Sequence, residues 1–120
     1  METNDYVELK SEILDGMRSY REDLAQDGAD AGYGDGDIDE CERIIDRFLD
    51  AIGAAERDRD AAVVAVKRAV LALNALNARC AYNLIETDQR EGLCELILGA
   101  ANRVGAVGRD EDITEAWREW

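Results

Sequence analysis

Three aspartates near residue 37 have the spacing of a calcium-binding loop. Asp35, Asp37 and Asp39 fall at its first, third and fifth positions, where carboxylates would surround the ion. The same pattern requires glycine at the sixth position and glutamate at the twelfth, and this chain has Glu40 and Asp46 there. Because the glycine that bends the backbone around the ion is missing, we expect a solvated loop leading into a helix, and no metal site.

Residues suited to catalysis are few. Glu12 and Asp15 form an ExxD pair on a predicted helix, but no second pair completes a magnesium site. The chain has no histidine to act as a general base for Ser11 or Ser19, and it has no GxxxxGK[ST] phosphate loop. We therefore expect no enzyme activity and no cofactor. The alternative is a magnesium-dependent all-α nucleotide hydrolase with Glu12 and Asp15 as ligands.

The cysteines Cys41, Cys80 and Cys94 lie in apolar helical patterns. Their number is odd and no CxxC occurs, so neither a disulfide framework nor a zinc site is expected. Free thiols of this kind pack as small apolar side chains. With no basic and apolar leader at the start, the chain is predicted to be cytoplasmic. The longest apolar run, residues 61–73, is short and interrupted by two bases, so no membrane span is expected.

The net charge of −14 is concentrated in the first half of the chain. Residues 1–60 carry 19 acidic and 7 basic side chains, a net charge of −12, whereas residues 61–120 carry 9 and 7, a net charge of −2. Such a charge disfavours direct binding to nucleic acid and favours encounter with a basic partner. The densest stretch holds seven acids and no base, and we expect these residues to form the contact surface: Asp27, Asp30, Asp35, Asp37, Asp39, Glu40 and Glu42.

Apolar residues recur at spacings of three and four along four segments, and Asn74 and Asn77 interrupt the third of them. This period predicts amphipathic helices. A buried asparagine needs a hydrogen-bond partner, so we expect both to bond to a neighbouring helix or to the start of the fourth. The predicted helices cover about 5–25, 37–53, 61–82 and 87–104.

The helix ends are predicted from capping patterns and glycines. Four glycines among acids indicate a flexible loop over residues 26–37. Asp37, with Glu40 three residues later, has the spacing of a capping box and is expected to begin the second helix. Asp112 and Glu115 have the same spacing, and they predict a short fifth helix. Its two tryptophans, Trp117 and Trp120, should pack back onto the other helices.

These elements predict an all-α fold, with residues 1–120 forming a single antiparallel up-down-up-down four-helix bundle and a short C-terminal fifth helix. The third helix is apolar around much of its girth, which suggests a homodimer through this helix. For function, we expect a protein-interaction module of the inhibitor or immunity type that binds a basic protein. A further alternative is that the acidity reflects only a high-salt cytoplasm.

Overall fold

The computed structural model describes residues 3–105, 108 and 111–120 of the chain, with side chains from residue 6 onward. This part of the chain contains four α-helices and no strand, so the predicted all-α class is confirmed. The helices are α1 (Thr3–Gln26), α2 (Asp35–Gly53), α3 (Arg59–Arg79) and α4 (Thr87–Arg103).

Helix α2 packs most extensively on α3, and α1 packs on both α4 and α2. The core between them is aliphatic, and each large side chain that is fully buried stabilises the fold by about 1.5–3 kcal/mol. Helix α2 places its apolar side chains on one face at helical spacing, and three alanines are among the residues that α3 buries. The buried residues of α2 are Ile38, Cys41, Ile44, Ile45, Phe48 and Ile52.

The start of α2 differs from the prediction by two residues, since the helix begins at Asp35 and not at Asp37. Gly34, with an extended backbone at φ −124°, is the N-cap residue. Asp37 occupies the third helical position, where its carboxylate accepts a hydrogen bond of 3.0 Å from the N–H of Gly34. The prediction that Asp37 is the N-cap residue was therefore wrong. Asp37 is the N3 residue of the capping box, whose side chain accepts from the backbone N–H of the N-cap residue.

The end of α3 also differs from the prediction. The apolar pattern continues to residue 82, but the helix ends at Arg79 with Cys80 as its C-cap. Ala81 and Tyr82 have left-handed backbones, with φ of 56° and 64°. This conformation is unfavourable for side chains with a Cβ, and side-chain periodicity does not reveal it.

The predicted fifth helix is not among the helices of the described residues, and residues 113–117 form turns instead. The carboxylate of Asp112 accepts hydrogen bonds from both the N–H and the hydroxyl of Thr114, which closes a tight local turn. Trp117 and Trp120 pack against the core as predicted, and each is half-buried.

The two buried asparagines of α3 form hydrogen bonds to two other parts of the chain, the C-terminal segment and the connection between α3 and α4. The amide of Asn74 donates to the carbonyl of Trp117 at 2.7 Å and accepts from the N–H of Glu119 at 3.0 Å. The Asn77 carbonyl oxygen accepts a buried hydrogen bond of 3.0 Å from the N–H of Ile85, just before α4. Asn77 thus bonds one residue before the N-cap of α4, close to the predicted helix start, whereas Asn74 bonds to the C-terminal segment and not to a helix as predicted.

Helix α3 is long and apolar enough to cross a membrane by length and composition, and it is the one such helix among the described residues. The apolar run at residues 61–73 is shorter than the helix that contains it, which covers 21 residues. Half of its most apolar window is buried inside the fold, as expected for the core helix of a bundle, and such helices pass the same test.

Candidate functional site

The seven acids of the predicted contact surface lie on the loop after α1 and the first turns of α2. Two of them shape the local backbone: Asp30 accepts a hydrogen bond of 2.8 Å from the N–H of Gly32, and Asp37 accepts the one from Gly34. Each carboxylate thus has one acceptor site occupied within the chain and keeps its charge. The loop itself is shorter than predicted, since residues 27–34 connect the two helices.

Three more of these acids form ion pairs with bases that lie elsewhere in the sequence or one turn away. Asp35 pairs with Arg21 of α1, and Glu42 lies 3.3 Å from the ammonium of Lys10. Glu40 pairs with Arg43 at 2.8 Å. The stretch without a base in the sequence is therefore partly neutralised in the fold. Of the seven, Asp27 and Asp39 are exposed and have no ion-pair partner in the described part of the chain.

A second acidic feature is a cleft between α1 and the start of α4. It is an open cleft of about 650 Å³, and its walls carry the carboxylates of Glu12, Asp23, Glu86 and Asp88. Among the residues that the structure describes, no basic side chain lines it. The remaining lining residues are polar or apolar side chains and two glycines: Leu9, Ile13, Gly16, Ser19, Tyr20, Thr87, Gln89 and Gly92.

Helical spacing explains how α1 builds one wall. Glu12, Ser19 and Asp23 are separated by two turns and one turn, so they project along the same face. The two carboxylates of this wall are eleven residues apart, roughly 16 Å along the axis. Neither forms an ion pair within the described residues. They are solvated charges available to a ligand.

The opposite wall is the N-terminus of α4. Glu86 is the N-cap residue, its side chain makes no capping hydrogen bond, and Asp88 lies in the first turn. Acids at these positions interact favourably with the positive end of the helix dipole, by about 0.3–1 kcal/mol each. Part of their role is thus structural, whereas Glu12 and Asp23 have no such partner.

The floor of the cleft is formed by the apolar side chains of Leu9 and Ile13, and α1 and α4 approach closely there. A Cβ added to Gly92 would lie 2.8 Å from Cγ1 of the buried Ile13, and a Cβ on Gly16 would lie 2.9 Å from the side-chain amide of Gln89. Leu9 covers the floor at one end, and Tyr20, 41% exposed, stands at the wall. A flexible side chain with a cationic head and an aliphatic stem matches both parts of this cleft.

Two buried groups behind these surfaces have strongly raised pKa values. Burial raises the pKa of Cys41 to about 12, so its thiol stays protonated and unreactive, in line with its predicted place in the core. Burial also raises the pKa of Tyr33 to about 12. The hydroxyl of Tyr33 donates to the carbonyl of Met17 at 2.9 Å, which ties the loop to α1.

Glu12 and Asp15, the residues of the magnesium-site alternative, are one turn apart on α1. Glu12 lines the cleft, whereas the carboxylate of Asp15 accepts a hydrogen bond of 3.0 Å from Arg18 and lies outside it. Within the described residues, no group of three or more metal-binding side chains is placed to hold an ion.

None of the seven predicted contact residues lines the cleft, and its four acids were not predicted together. They come from two segments more than sixty residues apart, and only the packing of α1 on α4 joins them. The local signal was weak, since Glu12 and Asp88 stand among many other acids.

Comparison with known proteins gives no further guide. No family model, curated protein or solved structure matches this chain.

Proposed function

We propose that this chain is a protein-interaction module of the inhibitor or immunity type, which binds a basic protein partner through the cleft between α1 and α4. The observation that carries the proposal is the cleft's charge: four carboxylates and no basic residue around an apolar floor. An arginine or lysine of the partner would place its stem on Leu9 and Ile13 and its charged head among the acids. The long-range field of a chain with net charge −14 speeds the encounter.

The cleft is a better candidate than the surface expected from the sequence. A partner that binds Asp35, Glu40 or Glu42 must first displace Arg21, Arg43 or Lys10. An exchange of one exposed ion pair for another gains little, because each is worth about 0.2–1 kcal/mol. The acids of the cleft wall on α1 require no such exchange.

We also propose the antiparallel up-down-up-down arrangement of the four helices. Two sets of pairings support it. Lys10, early in α1, bonds to Asp46 late in α2, and Arg21, late in α1, pairs with Asp35 at the start of α2. In the same way, the ring of Tyr6 lies 5.3 Å from the guanidinium carbon of Arg103 at the end of α4. A cytoplasmic location is a further part of the proposal, supported by the three free cysteines.

The test compares two variants that lose the same charge from different places. The first removes the cleft acids by E12Q, D23N, E86Q and D88N. The control removes four exposed acids outside the cleft by D27N, D39N, D50N and E56Q. Asp27 and Asp39 belong to the contact surface expected from the sequence, and neither has an ion-pair partner among the described residues. Binding of a fluorophore-labelled, arginine-rich helical peptide is followed by anisotropy in 0.05 and 0.3 M NaCl.

We expect the cleft variant to weaken binding by about tenfold or more, since four pairs of modest strength are lost. The control variant should keep most of the affinity and lose only the long-range contribution, which salt suppresses. Equal weakening by both variants would mean that only net charge matters, and the cleft proposal would then be wrong. If only the control variant lost affinity for the peptide, the binding site would lie on the loop after α1 and on α2.

A further inference from the structure

The outer face of α3 carries an exposed stripe with the spacing of a helix–helix seam. Its positions alternate by three and four residues, the period with which one helix packs along another. Val64 and Leu71 on this stripe are 48% and 46% exposed, unusually high for large apolar side chains. All six positions are exposed, and five are apolar: Ala61, Val64, Arg68, Leu71, Ala75 and Ala78.

A groove runs beside this stripe, between α2 and α3. It holds a cavity of about 280 Å³ whose floor includes Ile44, Phe48 and Ala69. A second hollow shares Ala51, Ala65 and Arg68 with the first and extends it to Ala61 and Val64. Along α3 the groove spans residues 60–72, roughly 18 Å. This is slightly more than the length of three helical turns.

Two arginines stand over this apolar floor. Arg47 and Arg68 line the cavity, and no carboxylate of the described residues forms an ion pair with either. Of the described residues that line the groove, Asp60 is the one acid, and it lies in the hollow at the far end. Lys10 and Arg21, by contrast, each form an ion pair with an acid of α2. The groove is thus apolar with an uncompensated positive rim.

We propose that this groove docks an amphipathic helix of another protein, which carries carboxylates beside its apolar stripe. The apolar side chains of that helix would cover Val64 and Leu71, and its acids would meet Arg47 and Arg68. The exposed stripe extends beyond the cavity to Ala78, which fits a helix better than a small molecule, since small ligands are mostly enclosed by their pockets.

The same charges argue against a second copy of this chain as the occupant. Pairing the stripe with itself brings Arg68 beside Arg68 of the other copy in a parallel arrangement, and within about one turn in an antiparallel one. Arg47 adds a further positive charge on each side, and neither copy supplies an acid at the centre of the seam. Juxtaposed like charges oppose association. The sequence-based expectation of a homodimer through α3 is therefore the competing outcome.

The experiment uses two labelled helical peptides with identical leucine and alanine stripes, one flanked by glutamates and one by lysines. Anisotropy titrations are made in 0.15 M NaCl, where the screening length is about 8 Å and the net charge of the protein acts weakly. We expect the glutamate peptide to bind. R47Q with R68Q should weaken it by about tenfold, the loss expected from two rim ion pairs.

The matched control is R57Q with R90Q, which removes two exposed arginines that lie outside the groove, and it should leave binding of the glutamate peptide unchanged. L71Q tests the apolar part of the contact and should weaken binding without lowering the melting temperature, because Leu71 is already half-exposed. The four-residue cleft variant, E12Q with its companions, should bind this peptide as well as the parent, which separates this proposal from the one for the cleft.

Three results would overturn the proposal. One is equal affinity of the cleft variant, E12Q with its companions, for the glutamate and lysine peptides, because that variant has lost the acids that could bind the lysine peptide elsewhere. Another is unchanged binding by R47Q with R68Q. The third is a dimer of the parent chain in sedimentation velocity that L71Q converts to monomer, because a second copy would then cover the stripe.

Discussion

At the scale of single residues, the approach of α1 to α4 depends on glycine. Gly92 lies in the interior of α4, where glycine is unfavourable by about 0.5–1 kcal/mol relative to alanine. Its place is explained by Ile13, whose buried side chain occupies the space of a Cβ on Gly92, with 2.8 Å to Cγ1. Gly99, two turns later in the same helix, has only ordinary contacts of 3.5 Å and longer to Tyr6.

We expect Gly92→Ala to lower the free energy of unfolding by about 1–3 kcal/mol, because the added methyl group overpacks the contact with Ile13. Gly99→Ala, with the same gain in helix propensity and no clash, should be neutral or stabilising by up to about 1 kcal/mol. Urea titrations followed by circular dichroism measure both. Equal effects of the two substitutions would show that α1 and α4 do not meet at Gly92.

At the scale of elements, the segment after α4 is held by α3. The side-chain amide of Asn74 donates to the carbonyl of Trp117 and accepts from the N–H of Glu119. The ring of Trp117 also lies 5.8 Å from the ammonium of Lys67. The guanidinium of Arg59, at the start of α3, donates a bidentate pair of hydrogen bonds to the carboxylate of Glu111. This interaction lowers the pKa of that carboxyl to about 2. The segment is thus ordered by tertiary contacts and not by a helix of its own.

We expect Asn74→Ala to release this segment, since the carbonyl of Trp117 and the N–H of Glu119 lose their partner. The cost is about 1–3 kcal/mol of stability. The fluorescence of the two tryptophans should shift to longer wavelength in the folded state, because both lie in this segment. Asn77→Ala is the contrast: it should destabilise the fold by a similar amount, through Ile85, and leave the emission unchanged. The same red shift in both variants would contradict the assignment.

At the scale of the whole molecule, the question is whether the acidity serves a partner or a saline solvent. The fold pairs part of the acidic stretch with Lys10, Arg21 and Arg43, yet the chain keeps a net charge of −14. Repulsion among the remaining carboxylates destabilises the compact state, and salt screens it.

We expect the melting temperature to rise with KCl mainly below about 0.15 M, where the screening length falls to about 8 Å, and then to level off. Differential scanning calorimetry over a series of KCl concentrations measures this. A steep rise that continues into the molar range would instead support adaptation to a high-salt cytoplasm. The cleft variant and its control should lose the same part of this salt dependence, since both remove four charges, but the cleft variant should melt at a lower temperature because Glu86 and Asp88 also stabilise the start of α4.

The helices were largely predictable because their signal is local. The period of α2, from Ile38 to Ile52, and the polar start of α4 at Thr87 both lie within single segments of sequence. The exact ends were less predictable. A left-handed backbone at Ala81 and Tyr82 ended α3 early, and the turn at Asp112 took the place of a helix start.

The sequence by itself determined the helical class, the position of each helix and the excess of carboxylates, since these follow from composition and from spacings of three and four residues. Tertiary structure decided which charges remain available. It brought Lys10 and Arg21 to the acids that had seemed unopposed, and it joined Glu12 to Asp88 across a cleft. Electrostatic interactions depend on distance in space, and the packing of α1 on α4 and α2 sets those distances.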